Sequence, residues 1–109
     1  MIAVPVPWIL ALSAVLFVLG ALGVLLRRNA IVIFLGVEIM LNAANLAFVA
    51  FAMERAGSGS VSSAISGQLF VFFVIGVAAA EAAVGLALFI AIHRLKETID
   101  VDRLNILRW

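Results

Sequence analysis

The sequence predicts an all-α membrane protein with three transmembrane helices, because its composition is strongly apolar and it contains three long apolar runs. Of its 109 residues, 67% are hydrophobic and 12% are charged, and the mean hydropathy is +1.33. Soluble globular domains have only about 45–50% apolar residues. When a soluble domain of this size folds, it still exposes about a third of the surface that its unfolded chain exposes to water. A lipid bilayer is therefore the expected solvent.

Each of the three apolar runs is long enough to cross the hydrocarbon core of a bilayer as a helix. Spanning takes about 20 residues, and the runs cover residues 8–26, 30–53 and 69–92. Only helices and closed barrels satisfy the backbone in lipid, and these runs lack the alternating pattern of barrel strands. We predict a single membrane domain over residues 1–109, ending in a tail at residues 93–109.

The start of the chain has the features of an uncleaved first span. Pro5 and Pro7 suit the entry to a helix, and Trp8 suits the aromatic belt at the membrane interface. A secretory signal carries positive charge before its apolar stretch, whereas the first positive charges here, Arg27 and Arg28, follow it. We therefore expect this span to remain in the protein.

The two connections between the spans differ in length and composition. Residues 27–29 form a short first loop, which makes the first two helices an antiparallel hairpin. Residues 54–68 contain Gly-Ser-Gly-Ser and Ser-Ser stretches without periodicity, a composition typical of a flexible linker. We expect a mobile loop there.

Orientation follows from the unequal distribution of basic residues. Positively charged residues favour the cytoplasmic side of a membrane, and only Arg55 falls on the side opposite to the other six. We predict that the N-terminus lies outside and that the first loop and the C-terminus lie in the cytoplasm, or in the matrix or stroma of an organelle. The six residues are Arg27, Arg28, Arg94, Lys96, Arg103 and Arg108.

Several classes of function are disfavoured by the composition. A net charge of +1 offers no basic face for a nucleic acid. The chain has no cysteine, which excludes disulfides, thiolate catalysis and cysteine-bound iron–sulfur or zinc sites. His93 is the single histidine, so a histidine-rich metal or haem site is not expected. We expect no cofactor and no metal in this chain.

The second and third spans each carry a glutamate in their apolar interior. On the second, Glu38, Asn42 and Asn45 share one helix face at spacing i, i+4, i+7. On the third, Glu81 lies within a run of small residues that permits close helix approach. A charged residue at mid-membrane costs at least about 2.5–3.5 kcal/mol on insertion scales, so two glutamates in so short a chain predict a function in moving protons.

The two carboxyl groups lie at similar depth in the predicted helices. With a rise of about 1.5 Å per residue, Glu38 is roughly 12 Å from the start of its span and Glu81 roughly 16 Å from the cytoplasmic end of its own. This permits lateral proton transfer through water. The spans contain no Lys or Arg, so any cation that changes the protonation state of these carboxyl groups must come from another subunit.

Structural interpretations of the same residues remain open. The glutamates could serve as polar links between helices, although Ser, Thr, Asn or Gln would do so at a smaller penalty. For Asn42 and Asn45, structural hydrogen bonding is favoured over lining a hydrated path. Arg27 and Arg28 suit anchoring to lipid phosphates and setting the topology. Five glycines are predicted at helix contacts: Gly20, Gly23, Gly36, Gly76 and Gly85.

The polar motifs closely resemble a known protein family. Arg27-Arg28-Asn29 precedes GVEIMLNAANL at residues 36–46, and AAAEAAVGL follows at residues 78–86. Together they resemble the NuoK type, the K-subunit family of proton-pumping NADH:quinone oxidoreductase (respiratory complex I). The resemblance covers almost the whole chain, including the tail around Asp100-Val101-Asp102. One departure is Ser66-Gly67-Gln68, where many members have Asp-Gly-Gln.

The resemblance implies a core subunit of the membrane arm, beside the J, A and N subunits, without a redox centre of its own. Flavin, iron–sulfur clusters and quinone are then expected in partner subunits. Glu38 and Glu81 stand at the family's two membrane glutamates, which belong to the hydrophilic axis coupling quinone reduction to proton translocation. Arg27 and Arg28 stand at its cytoplasmic-loop arginines. The expected location is the bacterial inner membrane, or an organellar inner or thylakoid membrane.

Two alternatives come from other classes of protein. The C subunit of multisubunit Na⁺/H⁺ antiporters is a related three-helix protein, but its third helix lacks the acidic residue that Glu81 supplies. A structural or assembly subunit without a transport role is the other alternative, and the two glutamates argue against it.

Overall fold

A computed structural model describes residues 4–96 and 100–103, without the side chains of Lys96 and Arg103. In these ranges the chain forms three helices, α1 (Val6–Leu26), α2 (Ala30–Gly57) and α3 (Val61–Lys96), followed by a single 3-10 turn at Val101–Arg103. All three helices are long and apolar enough to cross a membrane. The predicted all-α fold with three such helices is therefore confirmed.

Local sequence signals account for where α1 ends and α2 begins. Arg27 has an extended backbone and ends α1. The side-chain oxygen of Asn29 then accepts hydrogen bonds from the backbone N–H groups of Ile31 at 2.9 Å and Val32 at 3.4 Å. These are donors that a helix start leaves unpaired, so Asn29 is the N-cap of α2.

The long mobile loop predicted at residues 54–68 is wrong. A turn at residues 58–60 joins α2 to α3, with Gly59 at a φ of +86°. Glycine occupies this left-handed region without steric cost. The flanking serines bond locally, since the Ser66 hydroxyl donates to the Ser62 carbonyl at 3.0 Å. Helix packing outweighs the linker-like composition, because Gly67 lies against Ala52 of α2.

The ends of the predicted spans also differ from the observed helix ends. The third span was expected at residues 69–92, with a tail from residue 93, but α3 runs from Val61 to Lys96. The second span, expected to end at residue 53, continues to Gly57. The first begins at Val6, two residues before the predicted start. Of the predicted tail, residues 97–99 and 104–109 lie outside the described residues.

Helix α2 is the central element and packs against both α1 and α3. Against α1 the approach is closest at two glycines: a Cβ added to Gly20 would lie 2.6 Å from the carbonyl oxygen of Gly36. Two turns beyond these glycines, α1 is linked to α2 by the hydroxyl of Ser13, which donates to the carbonyl oxygen of Ala43. Glycine and serine at such contacts are typical of membrane helix pairs.

Between α2 and α3 the contacts are aromatic and apolar. Phe34 and Phe89 meet edge to face with ring centroids 5.5 Å apart, and Phe48 and Phe70 meet at 4.7 Å. Phe34 also lies against Gly85. Of the five predicted contact glycines, Gly20, Gly36 and Gly85 lie in tight contacts and Gly23 in an ordinary one, whereas a Cβ at Gly76 would have nothing within 4 Å.

Candidate proton-transfer site

Glu38 lies on α2 with one carboxyl oxygen inside the protein. Its side chain is half-buried, but Oε1 is fully covered and has no hydrogen-bond partner among the described residues. Leaving a buried acceptor unbonded costs about 1–3 kcal/mol, and more for a charged group. A side chain kept only to link two helices would be expected to make that bond. Among the described residues, Glu38 therefore does not link α2 to another helix through this oxygen.

The register of α2 against α3 brings the two glutamates to the same depth. Phe34 contacts Gly85, and the two helices are antiparallel. Glu38 follows Phe34 by four residues and Glu81 precedes Gly85 by four. Because the helices run in opposite directions, both glutamates lie on the same side of the Phe34–Gly85 contact, about 6 Å from it along the helix axes. The contact of Ala52 with Gly67 keeps the same register near the other end.

Glu81 occupies a more open position than Glu38. Its side chain is exposed in the isolated chain, on a groove of about 610 Å³ along α3. Among the described residues that line the groove it is the only acidic one, and the others are Phe34, Val77, Ala80, Val84, Gly85, Leu88, Phe89 and Ile92. An acidic group in an apolar groove requires a polar partner once lipid or protein covers it.

The structure separates the two asparagines that the sequence places on one face. Asn45 is buried at 9% exposure, and its Oδ1 has no hydrogen-bond partner among the described residues. Asn42 is exposed. Asn45 lies within about 20° of the line from Phe34 to Ala52, both of which contact α3, whereas Asn42 is turned about 80° away from that line. Only Asn45 therefore accompanies Glu38 on the face towards α3.

The loop arginines differ in their surroundings. Arg28 Nε lies 3.1 Å from Asp102 Oδ2, and the carbonyl oxygen of Arg28 accepts a 2.9 Å hydrogen bond from the N–H of Val101. Arg27 is exposed, with no ion pair to the described residues. The tail contact was missed in the sequence, where the only signal is the opposite charge of Arg28 and Asp102 on the same predicted side.

In the described ranges, no three His, Cys, Asp or Glu side chains come together in a group that could hold a metal ion. What this part of the chain offers chemically is two carboxyl groups at one level, one buried and one on a groove. Carboxyl groups can take up and release a proton, whereas the amides of the neighbouring asparagines cannot.

Comparison with known proteins gives a consistent set of relatives. The sequence model of the family described as NADH-ubiquinone/plastoquinone oxidoreductase chain 4L matches residues 8–109. The protein named NADH-quinone oxidoreductase subunit K from Roseiflexus castenholzii is 57% identical over 105 residues, which cover 96% of this chain and 98% of the relative. Subunit K 2 from Geotalea uraniireducens is 57% identical over 100 residues, covering 92% and 93%. Subunit K 2 from Koribacter versatilis is 50% identical over 105 residues, covering 96% and 95%.

Proposed function

Because the chain belongs to the family of NADH-ubiquinone/plastoquinone oxidoreductase chain 4L, we propose that it is a multi-pass membrane subunit of an NADH-quinone oxidoreductase and takes part in its proton translocation. The near-complete coverage of relatives named subunit K supports this assignment. The alternative, a subunit of a Na⁺/H⁺ antiporter, is not favoured by these relatives. The resemblance stated from the sequence motifs is confirmed.

The proton-transfer role is carried by one observation, the unbonded buried oxygen of Glu38 at the level of Glu81. Glu38 and Glu81 exchange protons laterally, through water or through polar groups of neighbouring subunits. Asn45 Oδ1, also buried and unbonded within the described residues, accepts a hydrogen bond along this path. Asn42 is exposed and borders the path from the side.

The polar partners of the two glutamates come from other subunits. The described part of each span lacks Lys and Arg in its interior, so a cation that favours the ionised carboxylate must approach from outside the chain. The groove beside Glu81 is where a neighbouring helix would bring it. We assign these neighbours to the J, A and N subunits, and the flavin, iron–sulfur clusters and quinone to partner subunits, so this chain has no catalytic centre of its own.

Orientation and location complete the proposal. The N-terminus lies outside, and the α1–α2 loop and the end of α3 face the cytoplasm, in accordance with the distribution of basic residues. The membrane is the inner membrane of a bacterium, or the equivalent inner or thylakoid membrane of an organelle.

Replacing Glu38 by Gln tests the proton-transfer role directly. Gln keeps nearly the same volume and hydrogen-bonding capacity but cannot ionise. We expect the complex to assemble while proton uptake into inverted vesicles falls about tenfold or more. Glu38→Asp keeps the acid but shortens its reach, so an intermediate loss is expected. Glu81→Gln should act in the same direction.

The matched control is Glu54→Gln, which changes an exposed acid at the far end of the same helix and should leave pumping unchanged. Complex content is checked on a native gel. Normal pumping by an assembled Glu38→Gln, Glu81→Gln double variant would refute the proton-transfer role. Recovery of the chain only with antiporter subunits would refute the assignment to the oxidoreductase.

A further inference from the structure

The end of the chain returns to the α1–α2 loop and makes a specific contact there. Residues 100–103, here called the tail clasp, contribute an antiparallel bridge from Asp100 to Asn29 and a 2.9 Å hydrogen bond from the N–H of Val101 to the carbonyl of Arg28. They also contribute the ion pair of Asp102 with Arg28. The backbone N–H of Asp102 bonds to Asp100 Oδ1 at 3.0 Å, which shapes the clasp itself.

The tail clasp connects the two helices that carry the glutamates. Asn29 is the N-cap of α2, and only residues 97–99 separate the end of α3 from the clasp. The contact therefore holds the chain, four residues past the end of α3, against the residue immediately before α2. Glu38 and Glu81 lie on these two helices, so a contact that joins their adjacent ends constrains the relative depth of the two carboxyl groups.

The α2–α3 contacts nearest to this end are poorly suited to fix a register by themselves. They consist of Phe34 against Gly85 and Phe89, which are apolar and non-directional. Between membrane helices such contacts lack the hydrophobic driving force that water provides. Hydrogen bonds have a preferred distance and angle, and the clasp supplies the directional contacts at this end.

Within the clasp the two kinds of contact have different roles. The side chains of Arg28 and Asp102 are 77% and 61% exposed, and an exposed ion pair contributes little to stability. The backbone bond and the bridge therefore hold the clasp in place. The ion pair determines which residue of the clasp lies opposite Arg28. If the clasp shifted by one residue along the α1–α2 loop, the charges of Arg28 and Asp102 would separate.

We propose that Asp102 is a positioning residue, which acts through Arg28 to fix the depth of Glu38 relative to Glu81. This inference rests on the proposed function. It also gives the two loop arginines separate tasks. Arg28 is bound within the chain, whereas Arg27, which has no ion pair to the described residues, is free to meet an anionic group outside it.

A disulfide tests the geometry without reference to pumping. The chain has no cysteine, so Asn29→Cys with Asp100→Cys introduces one pair. Facing residues of antiparallel strands have Cα atoms about 4.5–5.5 Å apart, within the roughly 4.4–6.8 Å that a disulfide spans. Mild oxidation of the assembled complex should therefore cross-link the pair. Ser58→Cys with Asp100→Cys, at opposite ends of α3, should not cross-link. Failure of the first pair would overturn the clasp.

A double-mutant cycle tests whether Asp102 acts through Arg28. Asp102→Asn and Arg28→Gln should each lower protons pumped per electron, by about two- to fivefold, and the double variant should be no worse than the more damaged single variant. Arg27→Gln is the matched control. Because Arg27 has no ion pair to the described residues, its fold-loss in protons pumped per electron should multiply with that of Asp102→Asn when the two changes are combined. Asp102→Glu should restore most of the coupling. The proposal would be overturned if the losses of Arg28→Gln and Asp102→Asn multiplied in the double variant. It would also be overturned if the variants contained less complex but pumped an unchanged number of protons per electron.

The two proposals fail in different ways. Normal pumping by the assembled Glu38→Gln, Glu81→Gln double variant would refute the proton-transfer role whatever the cross-link shows. Normal coupling in Asp102→Asn beside impaired coupling in Glu38→Gln would refute the positioning role alone.

Discussion

The ring of Phe34 fills the space that the missing side chain of Gly85 leaves on α3. A Cβ at Gly85 would lie 2.8 Å from Cε2 and 2.9 Å from Cζ of that ring. The same ring meets Phe89 edge to face at 85° between the planes. This contact is one of the apolar contacts that α2 and α3 make in the register at which Glu38 and Glu81 share a common depth.

Gly85→Ala should disturb this register, because its methyl group would overlap the Phe34 ring. Overpacking of this kind costs about 1–3 kcal/mol. We expect less assembled complex on a native gel and reduced proton pumping. Phe34→Leu in the same chain removes the overlapping ring atoms, so the double variant should recover part of both.

The control for this pair is Gly76→Ala on the same helix, where an added Cβ meets nothing within 4 Å. It should assemble like the unchanged protein. If Gly85→Ala behaves like Gly76→Ala, the Phe34 contact does not contribute to the register.

Gly36→Ala should be damaging in a way that no single side-chain change repairs. Its Cβ would lie 2.7 Å from the carbonyl oxygen of Gly20, and this backbone atom cannot move aside as a side chain can. We expect α1 to separate from α2 and complex content to fall. Gly57→Ala, with open space around the added methyl, is the matched change on α2. Equal complex content in the two variants would contradict the close contact.

Cysteines at Ser58 and Leu95 should be labelled from opposite sides of the membrane. Ser58 lies in the turn between α2 and α3, and Leu95 lies in the last turn of α3 with 83% exposure. A membrane-impermeant maleimide should reach Ser58→Cys in intact cells and Leu95→Cys only in inverted vesicles. The reverse pattern would invert the proposed orientation, and labelling of both from one side would contradict three spans.

Much of the architecture follows from the sequence because lipid leaves few options for the backbone. Apolar runs of sufficient length predict the three helices, and the basic residues with Asn29 mark the first loop. The second connection was predicted to be too long because Ser and Gly at residues 57–63 have the composition of a linker. What extends the helices there is a tertiary contact, Gly67 on Ala52, which local composition does not reveal.

The candidate site was predictable in its residues but less so in their surroundings. A glutamate in an apolar run is conspicuous, and helix geometry alone places Glu38 and Glu81 near one level. The difference between Asn42 and Asn45 depends on which side of α2 faces α3, and the i, i+4, i+7 pattern leaves that open. The pairing of Asp102 with Arg28 joins residues far apart in the chain, so it too required the fold.

The turn at residues 58–60 leaves only three residues between the end of α2 and the start of α3. The two helices contain 28 and 36 residues, lengths of about 42 and 54 Å, against a hydrocarbon core of about 30 Å. Each glutamate is therefore joined to the turn by unbroken helix, which a loop over residues 54–68 would have interrupted.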